Sequence, residues 1–152
     1  MSELLSSLKE FDIAAMLPDI EVFLLQLEKI LRIFVMAGPL TILGLGLWYY
    51  LAPPKEANHS VGFRTYWGMG SIAAWRYTQR IAGMCYSLLG CILTVVLSIF
   101  CNFFRAMNPM TMAVCALVCV LLEVVVILGA WVWIQLQVYK KFDKDGNLRN
   151  EL

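Results

Sequence analysis

Three long stretches of this chain are almost free of charge, and they set its architecture. No residue from Ile33 to Pro54 is charged, none from Ile81 to Phe104, and only Glu123 from Ala106 to Tyr139. A hydrocarbon core about 30 Å thick needs about 20 apolar residues of helix, and each stretch is long enough. The pattern predicts an all-α membrane protein with three transmembrane helices, over about residues 33–52, 82–104 and 109–136. Gly38-Pro39 is expected to kink the first span, because proline lacks a backbone donor and clashes with the preceding turn. Trp48, Tyr49 and Tyr50 suit the headgroup level at its end, and Pro53-Pro54 stops it. In the second span Gly83, Ser87, Gly90, Thr94 and Ser98 form a stripe of small residues that lets a neighbouring helix approach closely. Asn108-Pro109 is a cap followed by proline at the first helical position, and Trp131 and Trp133 mark the exit of the third span.

Ahead of these spans, residues 1–32 read as amphipathic, interfacial helices. The first covers about Ser2 to Met16, with Leu4, Leu5, Leu8 and Phe11 along one side. The second is expected to begin at Pro18, with Asp19 and Glu21 complementing its positive end. Its polar face holds Glu21, Glu28 and Arg32, the last two an i,i+4 pair. Such a helix lies on the membrane surface; the alternative is that it packs on the bundle or runs on into the first span. Between the first two spans comes a loop over residues 53–81, and residues 141–152 form a polar tail.

Charge adds orientation. The loop carries Lys55, Arg64, Arg76 and Arg80, and the tail end carries Lys140, Lys141, Lys144 and Arg149. The opposite side has Lys9, Lys29, Arg32 and Arg105. Eight against four places the loop and the C-terminus in the cytoplasm and the N-terminus outside. Composition agrees with a bilayer: 61% of the 152 residues are hydrophobic and 15% charged, against about 45–50% and about 25% in soluble domains. This excludes a soluble enzyme, a direct nucleic-acid binder and a disulfide-stapled secreted module. The five cysteines all fall in apolar segments and read as packing thiols.

No grouping for catalysis, metal or cofactor stands out. His59 is the only histidine, and neither a Gly-x-Ser-x-Gly elbow nor a phosphate-cradling glycine loop occurs. The chain is therefore expected not to be an enzyme. Asp143 to Asn147 imitates the start of a calcium loop, but Leu148 stands where the sharp-turn glycine is needed, so the segment reads as a turn. Glu123 is the intramembrane exception. Placing a carboxylate at mid-bilayer costs at least about 2.5–3.5 kcal/mol, so it should face protein, on the side shared with Ala116, Cys119 and Ala130 and against the second span's stripe. It is either a structural hydrogen bonder, a coupling site for a proton or ligand, or the partner of Arg105.

The loop is the informative stretch. Glycines at 62, 68 and 70 make its first part turn-rich, and Ser71 can cap a helix from Ile72 that runs into the second span. Arg64, Arg76 and Arg80, with Tyr66, Trp67, Trp75 and Tyr77, form a basic aromatic collar beside the membrane. It either anchors helix ends at the headgroups or binds an anionic group such as a lipid phosphate.

The same stretch carries a family pattern: Val61-Gly62-Phe63-Arg64-Thr65, Trp67, Ser71, Trp75, then Gln79-Arg80 and Gly83. It resembles the signature of the SdpI family of small bacterial multi-span membrane proteins. Gln79 replaces a histidine common there, and Gly68 and Gly70 replace polar residues. The resemblance implies a non-enzymatic protein of the bacterial cell membrane that protects against, or senses, an extracellular peptide toxin. Some members tether a cytoplasmic repressor. It implies binding roles for Gly62, Arg64, Thr65, Trp67, Ser71, Trp75, Gln79, Arg80 and Gly83, with a peptide and a repressor as partners; the basic collar adds anionic lipids, and a second copy of the chain is a further expected partner. The alternative from the residues alone is a small transporter or channel subunit, or an accessory subunit, using Glu123.

Overall fold

The computed structural model describes residues 13–57 and 61–149, and every described element is helical apart from one isolated β-bridge. Helix α1 runs over Ile13–Leu51, α2 over Ile72–Cys101 and α3 over Pro109–Lys141. Short 3-10 turns, η1 at Trp67–Met69 and η2 at Asn102–Ala106, fill the links. All three α-helices are long and apolar enough to cross a membrane. Their outward faces expose apolar side chains such as Ile33, Leu88 and Val125. In lipid these faces are solvated, so they need no partner.

The helix ends follow local chemistry. Ser71 caps α2 by accepting from the Ala74 N–H at 3.1 Å, and Asn108 caps α3 by accepting from Thr111 N–H at 2.8 Å. Each such cap is worth about 1 kcal/mol. Lys140 and Lys141 complement the negative end of α3. The expected start at Pro18 is not observed: α1 already begins at Ile13 and continues unbroken into the first span. The second amphipathic stretch thus runs on into the span rather than forming a separate surface helix. The apolar surface of residues 22–34 continues directly into the apolar span, so no break separates them. Most of the first stretch, residues 1–12, lies outside the described residues.

α1 and α2 pack antiparallel, with the most extensive contact in the bundle. Gly83 lies on the backbone of Tyr50, Gly46 on Ser87, and Gly90 on the backbone of Leu43. Any side chain at these glycines would collide with the partner backbone. The small-residue stripe of α2 therefore serves α1, not α3. α3 packs across both helices. Two apolar cores result. One, with Val35, Leu97, Cys101, Phe104, Met112, Ala116 and Cys119, lies toward the α2–α3 turn. The other, with Phe63, Ala74, Ala82, Tyr86, Ile134, Val138 and Phe142, lies at the loop end. All five cysteines are free thiols.

Candidate functional site: the signature loop and the buried carboxyl

The loop folds onto the start of α2 through buried polar groups. Gln79 is completely buried. Its amide donates to the Phe63 carbonyl at 2.8 Å and accepts from the Phe63 N–H at 2.9 Å. One side chain thus supplies both bonds that a neighbouring strand would supply. Phe63 is thereby fixed with its ring edge-on to Tyr86, 5.6 Å between centroids. The residue before it, Gly62, has φ +112° and rests on the Trp75 ring, so only glycine fits there.

Trp75 is fully buried and donates its indole N–H to the Pro54 carbonyl at 2.8 Å, tying the loop entrance to α2. Thr65 accepts from the Gly68 N–H at 2.8 Å, and Gly68 sits against the Thr65 and Thr78 hydroxyls. Thr78 in turn donates to the Ala74 carbonyl.

The tail completes this end. Ser71 donates to the Gly146 carbonyl at 2.8 Å, and Gly70 packs on the backbone of Lys144 to Gly146. Asp143 organises the turn, accepting from the backbone N–H groups of Asp145 and Asn147 at 2.9 and 2.8 Å. Those bonds, the one from Asn147 foremost, hold the Asp143 carboxyl below its ordinary pKa. Gly146 takes φ +81°, and Phe142 bridges to Leu148. Lys141 lies 4.2 Å over the Tyr77 ring and Arg149 4.3 Å over Tyr139, each worth about 0.5–1 kcal/mol at exposed sites. This docking was not read from the sequence. Gly146 following an aspartate-rich run, with Gly70 before the α2 cap, was the available signal.

The signature residues thus fall into groups. Gly62, Thr65, Ser71, Trp75, Gln79 and Gly83 build the scaffold. Trp67 stands apart, 4.9 Å from Tyr139 between ring centroids, in a groove with Trp131 and Leu136. Arg80 lines a different cavity with Arg76 and Lys55, and Arg64 is exposed. Trp67 and Arg80 thus face two separate cavities.

Glu123 is 4% exposed, and its Oε1 has no hydrogen-bond partner among the described residues. It shares its face with buried Ala116 and Cys119, as the spacing predicts. Its carboxyl meets α1 at Gly38, beside the fully buried Pro39, rather than the α2 stripe. Only a residue without a Cβ leaves room for it. Arg105 is not its partner: Arg105 approaches Glu28 at 3.4 Å, and Arg32 pairs with the same carboxylate at 2.8 Å. The η2 turn carries Arg105 back to α1 at the bundle's end. Glu28, expected on a polar face, is instead buried by this triad, its side chain 9% exposed. Beside it a groove of about 450 Å³ opens, walled by Leu24, Leu25, Met107 and Met112.

No curated protein and no solved structure matches the chain. A family model, described as the SdpI/YfhL protein family, matches residues 55–135, which take in the folded signature loop, all of α2 and most of α3. That match covers more than half of the 152 residues, and the chain, a multi-pass helical membrane protein, belongs to the SdpI/YfhL family.

Proposed function

We propose that the protein acts by binding, without enzymatic chemistry, to protect a bacterial cell membrane against an extracellular peptide toxin or to sense it. A change at the outer end would pass to a repressor at the cytoplasmic end. The observation that carries this reading is the division of labour between the two ends. One end holds an open apolar groove beside the net-positive Glu28–Arg32–Arg105 triad, chemistry suited to an amphipathic peptide segment that brings an apolar face and a carboxylate. The other end is a rigid platform in which loop, α2 and tail are hydrogen-bonded together. The lysine and arginine bias puts the platform in the cytoplasm.

The test is survival of sensitive bacteria, with and without the chain, under challenge by secreted amphipathic peptides. Expression should protect, and Leu25→Lys, at a half-exposed groove position, should abolish protection with unchanged protein in the membrane. Absence of protection together with an unchanged transcriptional response would overturn the reading. A C-terminal fusion of a reporter active only in the cytoplasm should be active. A second reading, a proton- or ligand-coupled transport subunit, is favoured by the unbonded Glu123 oxygen in the bundle interior.

A further inference from the structure

Where α1 ends and α2 begins, a cavity of about 470 Å³ opens between them, walled by Tyr49, Tyr50 and the Pro53-Pro54 turn. Lys55, Arg76 and Arg80 all line it, and no carboxylate does. The ion pairs of Glu28 with Arg32 and Arg105 lie at the other end of the bundle, and these three cations line one space whose walls hold no carboxylate. Arg76 and Arg80 stand one turn apart on α2.

The walls cannot readily close over the gap. Trp75, fully buried, holds the Pro54 carbonyl at 2.8 Å, and Gly83 sits directly on the Tyr50 backbone. Two signature residues of the family thus fix the spacing between the ends of α1 and α2, and with it the space that Lys55 and the arginines face. Three cations lining one space beside the end of a membrane span can share one anion. Guanidinium forks match phosphate oxygens bidentately.

We infer that this cavity binds the phosphate of an anionic membrane lipid. The phosphate lies between Arg76, Arg80 and Lys55, and the tyrosines flank the headgroup. The cavity is far larger than a bare phosphate and leaves room for glycerol. It opens at the end of a membrane span, beside exposed Leu47 and Leu51, which offer acyl chains an apolar track.

The test uses the full chain in detergent, titrated with dioleoyl phosphatidylglycerol or dioleoyl phosphatidylcholine and followed by native mass spectrometry. One phosphatidylglycerol should be retained per chain, in preference to phosphatidylcholine. Arg76→Gln combined with Arg80→Gln should weaken retention by about tenfold or more. Lys140→Gln combined with Lys144→Gln, which removes the same charge elsewhere at that end, should change it little. Lys55→Gln, in the loop and outside any helix, provides a variant with the smallest folding risk and should give a partial loss. Equal losses in the two double variants would show a diffuse charge effect and overturn the site. Heat stabilisation by inorganic phosphate equal to that by phosphatidylglycerol would overturn the lipid as its source.

Discussion

Gln79 and Glu123 are both buried polar side chains on helices of one bundle, at 0% and 4% exposure, yet their surroundings are opposite. Gln79 has both ends of its amide satisfied by a single residue, Phe63. Glu123 keeps an oxygen without a partner, pressed into the notch that Gly38 leaves in α1. A buried group with all its bonds made specifies a structure; one left unmatched costs stability and is retained where it serves something else. The loop signature is accordingly a folding device first. The interior carboxyl is the feature that folding alone does not account for.

The strongest way to break this contrast is Gln79→Leu. It strands the N–H and carbonyl of Phe63 in a dry interior, at about 1–3 kcal/mol for each group. Thermal unfolding in detergent should show a loss of roughly 2–5 kcal/mol, with the loop released from α2. Melting like the wild type would mean that the clamp is not what holds the loop.

Next in size is Gly38→Ala. Its methyl group would occupy the place of the Glu123 carboxyl, so overpacking should cost about 1–3 kcal/mol. Combining it with Glu123→Ala should recover most of that loss, and the cycle of four proteins measures the coupling directly. Simple additivity would show that the two residues do not meet.

Glu123→Gln sharpens the comparison from the other side. The change is nearly isosteric, and stability should move by less than about 1 kcal/mol. If the protein works by binding peptide at its outer groove, protection is kept. Lost function in a normally folded Glu123→Gln protein would instead transfer the role to a carboxyl that must ionise, as in the transport reading.

The smallest effect concerns the tail. Asp143 titrates below its ordinary value because its carboxylate accepts backbone hydrogen bonds, that of Asn147 first. Its contribution is complete above the unfolded carboxylate pKa and is lost as pH falls through the depressed folded one. The protection of the amides in residues 143–147, with the intrinsic pH dependence of exchange divided out, should therefore be high near about pH 7 and fall toward about pH 3. Asp143→Asn should show low protection that varies little over that range.

Much of the fold was legible in the chain. Spans cleared of charge, the Ser71 and Asn108 caps and the proline stop after Leu51 are local signals, and each acts within one or two turns. The buried face of α3 was legible too, because an ionisable residue at mid-bilayer has nowhere else to point. Partner choice was not. The stripe from Gly83 to Gly90 announced a close helix contact without naming α1, since lipid-facing helices are uniformly apolar and small residues fit any neighbour. In the sequence Arg105 is a candidate partner for Glu123, and its approach to Glu28 emerged only with the packed helices.

By itself, then, the sequence determined a three-span helical membrane protein with a glycine- and aromatic-rich loop of recognisable family pattern. Periodicity, charge placement and capping are properties of neighbouring residues. Tertiary structure alone decided that Gln79 clasps Phe63 sixteen residues away and that Ser71 takes up the tail seventy-five residues on. It also seated Glu123 against Gly38 and brought Lys55 to the same cavity as Arg76 and Arg80. Those contacts join segments whose separation along the chain carries no local energy term, so only the packed bundle, with its choice of which backbones touch, selects them.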